Sequence, residues 1–136
     1  MGIDLNDHLC PVCLDQMEDL EHAFLQCKWS TLFWNKISQW CEVDFQNFDS
    51  IASIFEWIEH NKVKEIDRKL YNLIIIAGLN MVWEHRNGVL FDKKEMTPDL
   101  TVAKTQDDTL CWILNSAKKI TIDRRLWIQS PFKTIL

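Results

Sequence analysis

From Trp29 onward, large apolar residues recur at intervals of three and four: Trp29, Phe33, Ile37 and Trp40. Phe33/Trp34 and Trp40/Cys41 broaden that stripe into one wide face, which predicts an amphipathic helix over KWSTLFWNKISQWCEV. A second helix is expected in SIASIFEWIEHN, where Ile51, Ile54, Phe55 and Ile58 share a face and Asp49 and Ser50 offer caps. A third is expected from near Val63 to about Asn87, stopped by Asn87-Gly88. Its interior is apolar on nearly every side, which implies a central place in a bundle. After a loop carrying Pro98, TVAKTQDDTLCWILNSAKKITID reads as a last long helix with Val102, Leu110, Ile113, Leu114, Ala117 and Ile120 turned inward. The tail RRLWIQSPFKTIL is apolar but broken by Pro131, and is expected to pack as an extended arm.

Composition strengthens the helical reading. The 136 residues are 47% hydrophobic, too apolar for a disordered chain and enough for one domain with a real core. Only three Gly and three Pro are present, too few for the turns of a many-stranded sheet. The expectation is an all-α helical bundle forming a single domain over 1–136. It divides into an N-terminal knuckle (1–28), a bundle (29–122) and a C-terminal arm (123–136). The most apolar run, LYNLIIIAGLNMVW, is 14 residues long and interrupted by Asn72 and Asn80, too short to cross a bilayer. Asn6 stands where a myristoylation signal wants Ser or Thr, so no membrane partner is expected.

The knuckle carries the clearest chemistry. In CPVCLDQMEDLEHAFLQC, the spacing Cys10-x2-Cys13-x8-His22-x4-Cys27 offers three thiolates and one imidazole within 18 residues. A CxxC turn brings two thiolates to one ion, and His22 and Cys27 complete a tetrahedron from the segment after it. That ligand set suits Zn²⁺ and leaves no open position for a catalytic water, as in structural zinc sites. His8 is an alternative ligand to His22. Cys41 and Cys111 fall on apolar helix faces and are expected to be buried thiols. Five cysteines, the CxxC spacing and the lack of a secretory signal favour an intracellular, reducing compartment over a disulfide framework.

Charge bears on what the knuckle can hold. Residues 1–60 carry eleven acids against two bases, and no Lys or Arg precedes Lys28. Residues 101–136 carry three acids against six bases. Nucleic acid is therefore disfavoured at the acidic N-terminal half. If it binds, the basic pairs Lys118-Lys119 and Arg124-Arg125 are the candidate contacts.

Two blocks carry a family resemblance. The string CPVC…EHAFLQCKWSTLFWNKISQW, with Cys10, Pro11, Cys13, His22, Phe24, Cys27, Phe33, Trp34 and Trp40, resembles the zinc-binding domain that follows the polymerase in plant non-LTR (LINE-type) retrotransposon reverse transcriptases. MVWEHRNGVLF resembles the same family's W-x-x-R-N-x-x-x-F element through Trp83, Arg86, Asn87 and Phe91. The blocks cover residues 10 to 91. Asn80 departs from the pattern, standing where relatives often carry Trp. The resemblance implies zinc and nucleic-acid binding in the parent domain. Here there is no room for a polymerase and no spaced carboxylates for an RNase H site, which implies a stand-alone or host-recruited derivative.

Two functions are expected from these features, in this order. The first is a non-catalytic adaptor binding a protein partner, with Trp127 and Phe132 of the apolar tail as candidate contacts for that partner or for a second copy. The second is a retained RNA- or single-strand-DNA-binding module. Catalysis is not expected, because His85 with Glu84 lacks the second His or carboxylate that a metal nuclease needs.

Overall fold

A computed structural model of the chain describes residues 9–14, 17, 19, 21–43, 50–60, 65–92, 94–116 and 122–133. The fold is all-α with a metal-binding knuckle at its N-terminal end, and no strand occurs among the described residues. Helix α1 (Lys28–Cys41) buries Phe33, Trp34, Ile37, Trp40 and Cys41, the stripe expected from their spacing. It stops at Glu42, which takes the left-handed conformation (φ 60°) and donates its N–H to the Ser38 carbonyl. Helix α2 (Ile51–His60) begins at a reciprocal cap: the Ser50 Oγ accepts from Ser53 N–H and the Ser53 Oγ accepts from Ser50 N–H. Asp49, the other expected cap, lies outside the described residues.

Helix α3 (Glu65–Asn87) is central, as its apolar interior requires. Leu70, Ile74, Ile75, Met81 and Val82 are buried, while Asn80 is exposed. At Asn87 the chain does not leave the helical path but widens into a π turn, Gly88–Asp92. Helix α4 (Pro98–Leu114) starts at Thr97, whose hydroxyl accepts from Leu100 N–H, with Pro98 in the first turn.

The buried face of α4 is half polar. Thr101, Thr105 and Thr109 lie in the interior beside Val102, Leu110 and Ile113. Each threonine hydroxyl donates to the carbonyl four residues earlier (2.9, 2.8 and 2.8 Å), so none is buried unpaired. These small side chains line the face on which α4 packs against α1 and α3.

Several expectations fail toward the C-terminus. The last long helix ends at Leu114 rather than continuing to residue 123, because the Asn115 amide donates to the Cys111 carbonyl and Ser116 Oγ to that of Ile113. Leu114 and Cys111 face solvent instead of the core. Ala117, Lys118, Lys119 and Ile120 lie outside the described residues. The tail is not an extended arm: α5 (Arg124–Gln129), capped by Asp123, and a 3-10 turn (Pro131–Lys133) fold back on the bundle. No helix of the described residues is long and apolar enough to cross a membrane.

Gly78 shows how closely α1 and α3 approach. A Cβ at this position would meet Trp34 Cη2 at 2.7 Å and Phe33 Cε2 at 3.3 Å. Trp34 is 1% exposed and its indole is held by a 2.6 Å hydrogen bond, so it has little room to retreat. A mid-helix glycine ordinarily costs about 1 kcal/mol relative to alanine. Here Gly78→Ala is expected to destabilise by roughly 1–3 kcal/mol despite that gain in propensity, because the interface is overpacked. Urea denaturation midpoints check it.

Candidate metal centre

The knuckle is built from two turns. Leu14 N–H donates to the Cys10 carbonyl at 2.9 Å, with Leu14 in the left-handed region (φ 57°), closing the CxxC turn. An isolated bridge between Leu9 and Met17 pinches the loop that follows. His22 N–H donates to Asp19 Oδ1 at 2.7 Å and opens a π turn, His22–Gln26, closed by Cys27 N–H to the His22 carbonyl at 2.7 Å. The π turn explains the His-x4-Cys spacing. Residues five apart diverge by about 140° on an α-helix, whereas an i→i+5 turn brings them into register.

These turns gather Cys10, Cys13, His22 and Cys27, whose ligand atoms all lie within 4.8 Å of one another. Cys10 Sγ and Cys27 Sγ are 3.7 Å apart, and Cys13 Sγ is 3.4 Å from His22 Nε2. The sulfurs are too far apart for a disulfide, which needs about 2.05 Å, and are spaced as ligands of one shared ion. Cys10 and Cys27 are each 1% exposed and His22 is 6% exposed, while Cys13 is partly accessible. Burial, reinforced by the neighbouring Cys10 and Cys13, pushes the Cys27 thiol up to about 12. Without a cation the Cys27 thiol therefore stays protonated at neutral pH; a bound divalent ion inverts that preference and takes it as a thiolate. His8 lies outside the described residues.

The knuckle is tied to the bundle on three sides. Three consecutive carbonyls of the π turn accept from α1: Ala23 from Ser30 Oγ, Phe24 from Trp34 Nε1, and Leu25 from Thr31 Oγ1. Glu21 Oε2 accepts from Ile51 N–H at the start of α2. Phe24 stacks on Trp83 of α3 (5.6 Å, 15°), and Arg86 lies 4.7 Å over the same indole. Phe24, Trp83 and Arg86, from the two separate sequence blocks, thus meet in space.

The remaining candidates are not gathered with the metal ligands. Arg124 is held by Asp107 at 2.6 Å, and Arg125 stands exposed near Asp123. Trp127, expected on a partner surface, is instead 0% exposed, for its indole fills the gap between α1 and α4. Phe132 is half-buried against Tyr71 (4.2 Å). The sequence offered His85 only as a nuclease candidate, set aside for want of a second His or carboxylate, yet it is buried beside the knuckle and stacked on Trp29 at 3.8 Å. Its position on the inner side of α3, in register with Ile74, Met81 and Val82, was the available signal. Compared with protein-family models, curated proteins and solved structures, the chain matches none.

Proposed function

We propose that the chain is a zinc-stapled, non-catalytic module that binds a protein partner. The separations of 3.7 and 3.4 Å support zinc as the ion. Tetrahedral Zn–S and Zn–N bonds of ~2.3 and ~2.0 Å give edges of about 3.8 Å between sulfurs and about 3.5 Å between sulfur and nitrogen. With four protein ligands the ion would be closed to substrate, which supports a structural role. The three thiolates favour a reducing compartment, and the resemblance to the retrotransposon zinc-binding domain favours descent from such an element.

The observation that carries partner binding is the apolar surface beside the knuckle. Leu14 is 70% exposed, Phe91 74% and Leu90 45%, and Leu14 shares a hollow with Pro11, Val12 and Val89. Nucleic acid is the second reading, favoured by the exposed Trp83 with Arg86 over it. It ranks lower because Lys36, Lys69, Lys104 and Arg124 each face a carboxylate, which leaves them less available to phosphate.

A double variant, Leu14→Asp with Phe91→Asp, is expected to keep its metal and helicity but lose nuclease-resistant partners in affinity capture from native tissue. Partners that vanish on nuclease treatment, or sub-micromolar nucleic-acid binding with a steep salt slope, would reverse the ranking.

A further inference from the structure

His85 is 4% exposed, and neither of its ring nitrogens has a hydrogen-bond partner. Buried polar atoms are almost always paired, and a side chain with both nitrogens unpaired points to a partner supplied from outside. One face of the ring is covered by Trp29 (3.8 Å, 7°). Desolvation lowers the imidazole's proton affinity, with Glu95 opposing, so the ring is neutral at pH 7 and offers one donor and one acceptor.

The ring lines a hollow of about 320 Å³ on the flank of the metal centre. Its apolar walls are Trp29, Leu32, Met96 and Val12, and Lys28 and Glu95 place opposite charges around it. The Trp29 indole N–H is already committed to the Met96 carbonyl at 2.8 Å, whereas both ring nitrogens of His85 are unpaired; Cys13 of the metal centre completes the lining. Val12 and Glu95 also border a second hollow, of about 390 Å³, with Pro11, Leu14 and Val89.

We propose that the His85 hollow is an anchor site for an uncharged, hydroxyl-ended apolar side chain of a partner protein, in the manner of tyrosine. The proposal rests on the partner-binding reading above and names the anchor chemistry. An apolar ring fills the walls, while its hydroxyl, able to donate or accept, pairs the ring nitrogen it meets in either tautomer. A purely apolar side chain would leave the imidazole unpaired. A charged one would lose hydration beside a neutral ring, and a carboxylate would also face the Cys13 thiolate of the metal centre. The adjoining hollow gives the residues next to the anchor a surface to lie on, which favours a peptide over a free small molecule.

The test uses the metal-loaded full chain and three probes, p-cresol, toluene and benzoate, followed by ¹H–¹⁵N NMR. Phenol-sized ligands in such a site are expected to bind with Kd of about 1 mM. Expected are shifts at the Trp29 indole N–H and the Leu32 and Met96 amides with p-cresol. Toluene and benzoate should bind at least about fivefold more weakly, as loss of one hydrogen bond implies. A His85 ring-nitrogen shift with p-cresol but not toluene is read in the unaltered chain, so no variant need fold. In His85→Phe with its metal retained, the preference of p-cresol over toluene should vanish. Equal binding of toluene, a preference that survives in His85→Phe, or no shifts at these residues up to 20-fold above that Kd would overturn the proposal. If the probes fail while nuclease-resistant capture still depends on Leu14 and Phe91, the anchor falls and partner binding stands. If p-cresol binds and capture fails, the site stands without that reading.

Discussion

Metal removal is expected to unfold the segment Leu9–Cys27 and to lower the melting temperature of the whole chain by at least about 10 °C. Structural zinc contributes on the order of 10 kcal/mol or more in small domains, comparable to the entire stability of an ordinary fold. Among its described residues only Cys10, His22, Ala23 and Cys27 are buried, and three of these four are the ligands themselves. Cys10 and Cys27 are buried by the arrangement that the ion would hold, and a shared cation is what makes three clustered sulfurs favourable. The loss does not stay local, because Ser30, Thr31 and Trp34 donate to the π turn and Phe24 covers Trp83. Elemental analysis should find one zinc per chain, and circular dichroism with and without EDTA reads the unfolding. Cys10→Ser should reproduce the EDTA result without chelator. A metal-free chain with an unchanged melting temperature would end the proposal of a structural ion.

Trp127→Ala is expected to destabilise by about 3–5 kcal/mol, the range for deleting a large aromatic from a core. Its indole N–H donates to the Gln106 carbonyl at 3.0 Å, and its own carbonyl accepts from Trp40 Nε1 at 2.7 Å. The two indoles meet edge to face at 5.4 Å, and Trp127 is wholly excluded from solvent. One residue thus joins α5 to both α1 and α4. Neighbouring Leu126 and Ile128 are 50% and 43% exposed, so alanine there should change stability by no more than about 0.5 kcal/mol. Denaturant midpoints separate the cases. A stable Trp127→Ala chain that has lost only partner binding would return this residue to the surface role first expected of it.

What was legible in the sequence is what a strict periodicity or spacing enforces. The α1 stripe, the near-uniform interior of α3 and the Cys-x2-Cys…His-x4-Cys spacing each admit few geometries, and each appears in the structure. The misreadings fall where hydrophobicity is a poor guide to burial. Thr101, Thr105 and Thr109 look like solvated positions, but their hydroxyls are satisfied within the helix and their small volume suits a close packing face. Conversely, Cys111 and Leu114 look like core and are exposed. Asn115 and Ser116 end α4 through side-chain bonds that compete with the helix, a choice that propensity alone leaves open. Whether an apolar tail packs on its own chain or on another depends on a gap between α1 and α4 that no local pattern records. His85 escaped notice for a related reason: its burial and stacking depend on neighbours such as Trp29, distant in sequence.

The π turn has a consequence for observation as well as for stability. Its Phe24 carbonyl accepts from the Trp34 indole at 2.6 Å, and the Phe24 ring lies parallel to that of Trp83. One of these indoles is sealed from water and the other is partly wet, so ordering or melting of the turn alters the surroundings of both. Tryptophan emission is sensitive to such surroundings. The chain thus carries a label-free fluorescent gauge of metal occupancy at the residues that bolt the knuckle to the bundle.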